Sequence, residues 1–247
     1  MYELIHKTAL FIHIAIGSMA LFIFWLPIIE KKGSPKHKRA GNWFVWGMTA
    51  VAISGIIMSS LVFIDPLAIR DPSGTLTTQE SLRVVASGRA ASPFLFMLSF
   101  FVLCATRHSV LVLKAKMEKS RLKTPSHLAS IVTLILSGIY VGSMGLEKGN
   151  MLFNVFSVLT VLSGMSMLHY IFKAKTKPSE WIIEHIGSIL GAGIAAYTAF
   201  FVFGGQTVLN DFVPSDMQIL FWIMPGVIGG ALTRMYTVKY RQRYNIA

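Results

Sequence analysis

The chain has 247 residues, of which 53% are hydrophobic and only 14% charged. So little polar surface cannot cover a soluble globule of this size, so the composition excludes an ordinary soluble domain and reads as a membrane protein. A formal charge of +12 raises nucleic acid as a partner, but the charges are divided among four short segments without a recognisable binding module, which argues against it.

Seven apolar runs of spanning length follow one another: residues 4–29, 42–64, 92–113, 127–146, 151–172, 182–204 and 217–238. The first is too long for the core of a signal peptide and long enough to cross a bilayer. None shows the dyad alternation of a barrel strand, and a lipid-exposed backbone must satisfy its own hydrogen bonds, so helices are expected. Cys104 is the single cysteine, which excludes a disulfide framework. No linker divides the chain, and the expected fold is one all-α domain over residues 1–247 with seven transmembrane helices.

Charge sets the expected orientation. Eighteen of the 23 Lys and Arg lie in residues 31–39, 107–123, 173–177 and 234–243, against five at the opposite ends, Lys7, Arg70, Arg83, Arg89 and Lys148. The acids lean the other way, with Glu3, Asp65, Asp71, Glu80, Glu147, Asp211 and Asp216 opposite the basic segments. Positive charge marks the cytoplasmic side, so the sequence predicts a multi-pass inner-membrane protein with its N-terminus outside and its C-terminus inside. The basic segments also predict contact with anionic lipids at the cytoplasmic face.

Residues 65–91 form the longest expected loop, outside the second span. Asp71-Pro72-Ser73-Gly74 reads as turns, and Thr78 followed by Ser81 as the cap of a short surface helix. The cytoplasmic connections contain Ser34-Pro35-Lys36-His37, Thr124-Pro125-Ser126-His127 and Lys177-Pro178-Ser179-Glu180. Each sets Pro where a helix begins, a position whose N–H needs no intrahelical partner. This repetition suggests three helical hairpins followed by a lone seventh span. Gly138 and Gly142, Gly187 and Gly191, and Gly226 and Gly230 have the spacing of faces that let helices approach closely.

The histidines carry the candidate chemistry. His13 lies within the first span, where an ionisable group is costly and points to function; it also reads as a neutral imidazole bonded to a neighbouring helix. His37, His108, His127, His169 and His185 map to the cytoplasmic ends. Of these, His108, His127, His169 and His185 fall on four spans at comparable depth. Imidazole ligates haem iron or zinc, so those four are candidate ligands for haem b or a divalent metal; they read equally as solvated interfacial side chains. Glu180 and Glu184 are candidate acceptors that orient an imidazole, or acids favoured by the start of the sixth helix.

With His13 in the first span and Lys36-His37-Lys38-Arg39-Ala40-Gly41 opening the second, the first 60 residues resemble a bacterial membrane family of unknown function. Its His-[Lys/Arg]-x-x-Gly opening of a span is matched by His37, Lys38 and Gly41. More distantly, a His in one span and a His at the mouth of the next resemble transmembrane haem b cytochromes, which implies haem binding at His13 or His37. The reading that follows is a redox protein using haem or a metal. Its rivals are a transporter or small-ligand protein, a metal-dependent hydrolase, for which no His-Glu-x-x-His motif is present, and a non-catalytic accessory subunit.

Overall fold

The computed structural model describes residues 1–205 and 218–246. Asp211, Asp216 and the start of the expected seventh span at Met217 lie outside these. The described residues are all-α. The long helices are α1 (Tyr2–Ile29), α2 (Pro35–Ile64), α4 (Thr78–Ala115), α5 (Pro125–Glu147), α6 (Met151–Phe172), α7 (Glu180–Ala199) and α8 (Gln218–Arg243). A five-residue α3 (Pro66–Arg70), a 3-10 turn (Lys119–Leu122) and a π turn continuing α7 (Phe200–Gly204) complete the order. Six helices among the described residues are long and apolar enough to cross a membrane: α1, α2, α4, α5, α6, and α7 with its π turn. Large apolar side chains stand outward on them, with Phe22 80%, Trp46 73% and Leu146 77% exposed, a surface that suits lipid and not water.

The helix starts follow capping chemistry. Ser34 caps α2, its Oγ accepting from His37 N at 3.1 Å, with Pro35 in the first turn. Pro125 likewise opens α5. The third hinge departs from the pattern: Ser179 takes a left-handed φ of 66° and α7 begins at Glu180, beyond Pro178. Glu180 there accepts from Lys177 N at 3.0 Å and from Lys173 Nζ at 2.5 Å.

The expected long loop is mostly helix. Thr77 and Glu80 form a reciprocal capping box: Glu80 Oε2 accepts from Thr77 N at 2.9 Å and from Thr77 Oγ1 at 2.7 Å, while Thr77 Oγ1 accepts from Glu80 N at 3.4 Å. From that cap α4 runs unbroken for 38 residues, through Pro93. The surface helix expected after Thr78 and the span expected at 92–113 are therefore one element. Asp71 holds the short remaining turn, its carboxylate accepting from Thr75 N, Thr75 Oγ1 and Leu76 N.

The chain forms two compact units, Met1–Leu103 with Ile131–Met165, and Cys104–Ser130 with Ser166–Ala247. In the first, α1 packs on α2 with Phe24 against Phe44, ring centroids 5.4 Å apart. Phe94 of α4 stacks on Phe153 of α6 at 4.6 Å, beside Met97 and Val141. Gly138 and Gly142 of α5 take the close approach their spacing predicts, since a Cβ on either would press on Ser157 of α6. The other two glycine pairs do not: among the described residues no neighbouring helix comes within 4 Å of a Cβ on Gly187, Gly191, Gly226 or Gly230. In the second unit Gly229 makes the close approach of α8 to α7, against Ile194, and Ile183, Tyr240 and Ile246 cluster.

Candidate functional site

The last carbonyls of a helix lack intrahelical partners and need donors from elsewhere. In the first unit the basic hinge supplies them. Lys32 Nζ donates to Pro27 O and Ile28 O, each at 2.6 Å, and His37 Nδ1–H donates to Pro27 O at 2.9 Å. His37 thus caps the end of α1. His13 Nδ1 lies 3.0 Å from both Val51 O and Ser54 Oγ. A carbonyl only accepts, so the proton sits on Nδ1, and His13 ties α1 to α2.

The second unit holds the most concentrated polar chemistry. His108 sits two turns from the end of α4, His127 in the first turn of α5, and Glu184 in the second turn of α7. Both histidines are fully buried, whereas the Glu184 side chain is 20% exposed. Glu184 Oε1 lies 3.0 Å from His108 Nε2, and His108 Nδ1 lies 3.0 Å from His127 Nε2. The imidazoles are nearly parallel, at 18° with centroids 5.2 Å apart, and Tyr170 stands edge-on to His108 at 6.2 Å.

The tautomers follow from bookkeeping of donors and acceptors. With Glu184 as a carboxylate, its Oε1 can only accept, and takes the Nε2–H of His108. His108 Nδ1 is then bare and accepts the Nε2–H of His127, which leaves a lone pair on His127 Nδ1. That atom is buried and has no hydrogen-bond partner among the described residues. Leaving a buried polar atom unmatched costs about 1–3 kcal/mol, so its persistence calls for a role. Arg107, the residue before His108, donates to Ser126, the residue before His127, at 3.3 Å to its O and 3.1 Å to its Oγ. A guanidinium fixed beside His127 opposes a net positive charge on the ring.

The remaining candidates fall elsewhere. His185 Nδ1–H donates to Ser109 O at 3.2 Å, anchoring α7 to α4. His169 is exposed in the last turn of α6. The four expected ligands therefore do not converge as one set. With both its nitrogens engaged, His108 has no lone pair for a metal or haem iron. Among the described residues no group of three or more His, Cys, Asp or Glu is arranged to hold a metal ion. Glu184 orients an imidazole, as its type suggests, but that imidazole is His108, 76 positions away, and not its neighbour His185. Tyr170, Ser109 and the Arg107–Ser126 bond carry no signal in the sequence, because each depends on which helix faces which.

No family model, curated protein or solved structure matches this chain. Fold and site define its class: a protein whose described residues are all-α, with six helices long and apolar enough to cross a membrane and a carboxylate–imidazole–imidazole chain whose two imidazoles are buried.

Proposed function

We propose that this is a seven-span inner-membrane protein, N-terminus outside and C-terminus cytoplasmic, that takes up and hands on protons through His127, His108 and Glu184. The hydrogen-bonded chain ending in an unmatched lone pair carries this reading. The 26-residue α8 is long enough to serve as the seventh span, and the distribution of Lys and Arg supports the orientation.

The transfer balances without any partner beyond a proton. A proton arriving at His127 Nδ1 lets the Nε2 proton of His127 pass to His108 Nδ1. The Nε2 proton of His108 then passes to Glu184 Oε1. The result is a neutral carboxylic acid and two neutral imidazoles, so the uptake removes a carboxylate charge and creates no cation beside Arg107. The Glu184 side chain is part-exposed and His127 fully buried, so the chain runs from a part-exposed carboxylate to an interior nitrogen.

Haem or metal binding, the redox reading, rests on the same unmatched nitrogen of His127 and requires the imidazole pair to part before His108 can join as a ligand. One sample tests both. Infrared difference spectra of the purified protein across a pH titration should show a protonated carboxylic acid band that E184Q abolishes and H127Q shifts. A titration insensitive to E184Q sinks the relay. A Soret band, or stoichiometric metal in elemental analysis, favours the redox reading instead.

A further inference from the structure

The second unit also carries a basic surface that the relay does not use. It is built from residues 114–123, between α4 and α5, and residues 173–177, between α6 and α7. Cation–aromatic contacts join the first segment to the helix ends that flank the second: Lys116 Nζ lies 5.9 Å from the centre of the Trp181 ring and Lys123 Nζ 5.2 Å from that of Phe172. Lys119 has another task, donating to Tyr170 O at 3.2 Å and to Lys173 O, and so capping the end of α6 as Lys32 caps α1. The acids here are already engaged: Glu118 pairs with Arg121 and Glu180 with Lys173, each at 2.5 Å. Lys116, Lys123, Lys175 and Lys177 are exposed and keep their charge without a carboxylate partner in these contacts.

We infer that these four lysines form a binding site for the phosphate of an anionic phospholipid. The charge is complementary, and the position fits, since every one of the four lies within a few residues of the end of a membrane-crossing helix. An ammonium resting on an aromatic face keeps its other hydrogens for phosphate oxygens. Met117 and Phe172, 50% and 57% exposed, supply apolar surface for the adjoining acyl chains. Lysines near a membrane surface each contribute about fivefold to the affinity for anionic lipid. The inference rests on the membrane-spanning reading and is independent of the relay.

The test uses the full chain in nanodiscs containing equal phosphatidylglycerol and phosphatidylcholine, with the lipid that survives detergent extraction and gel filtration measured by mass spectrometry. Phosphatidylglycerol should be retained over phosphatidylcholine by more than the roughly fivefold that a single lysine supplies. K116Q/K123Q/K175Q/K177Q should abolish the preference, and the matching four-arginine variant should keep it, which separates charge from misfolding. E184Q should leave it unchanged, so the two proposals fail separately. Equal retention of both lipids overturns the site, as does a four-glutamine variant that still enriches phosphatidylglycerol. Displacement of the lipid by an equal concentration of inorganic phosphate also overturns it, by pointing to a soluble anion as the ligand.

Discussion

His108 Nδ1 and His127 Nε2 face each other at 3.0 Å, and with Glu184 Oε1 3.0 Å from His108 Nε2 no nitrogen of the His108 ring is idle. On the proposed relay this pairing is the conduit, and His127 Nδ1 is the ring nitrogen without a partner among the described residues. It also makes the three side chains separable by substitution.

E184Q keeps an oxygen for His108 Nε2–H but cannot accept a proton. Stability should stay close to wild type while the infrared carboxylic acid band disappears. E184A removes the acceptor and leaves a buried N–H unmatched, so denaturant unfolding in detergent should show a loss of about 1–3 kcal/mol. Equal stability of the two variants contradicts the bonding described for Glu184.

The hinge histidine makes a different forecast. Because His37 shares Pro27 O with Lys32, H37A should cost about 1 kcal/mol or less, and H37A/K32M more than the sum of the single changes, since only the double variant strips Pro27 O of both donors. Unfolding curves of the four proteins give the coupling directly.

Glycines divide by environment. A Cβ at position 229 would overlap Ile194, so G229A should destabilise by about 1–3 kcal/mol. A Cβ at Gly187 meets nothing within 4 Å among the described residues of other elements, and G187A should be neutral or stabilise by up to about 1 kcal/mol through helix propensity. Thermal unfolding of the pair gives opposite signs if the α7 and α8 contact is as described.

In the turn before α4, the backbone N–H groups of Thr75 and then Leu76 hold the Asp71 carboxyl below its ordinary range. A carboxylate whose folded pKa is lowered stabilises above its unfolded pKa, and that contribution is lost as pH falls through the folded value. The protection of the Thr75 and Leu76 amides, their exchange rates taken relative to the unfolded chain at the same pH, should therefore fall on acidification through the carboxylate range, and D71N should show low protection that does not change with pH there.

The long helices were legible because their signal is local: long apolar runs, with Pro35 and Pro125 at helix starts. The extent of α4 was not, since Asp71-Pro72-Ser73-Gly74 reads as the start of a loop and the capping box that restarts the helix rests on Thr77, one residue before the expected Thr78. Glycine spacing located the Gly138 and Gly142 contact but not Gly229, because spacing gives a helix face and not what the face meets. The same limit applies to the site. His108, His127 and Glu184 stand out by residue type, yet their pairing joins positions 19 and 76 apart, and nothing in a single sequence distinguishes that pairing from convergence with His169 and His185.

Nitrogen NMR of the protein labelled at histidine tests the central claim most directly. At rest His127 should show a bare Nδ1 and a protonated Nε2 with scalar coupling to His108 Nδ1 through the shared hydrogen bond, and on acidification the proton should appear on His127 Nδ1 while Nε2 loses its own. A His127 that is protonated at Nδ1 from the outset, or that shows no coupling to His108 at any pH, contradicts the relay.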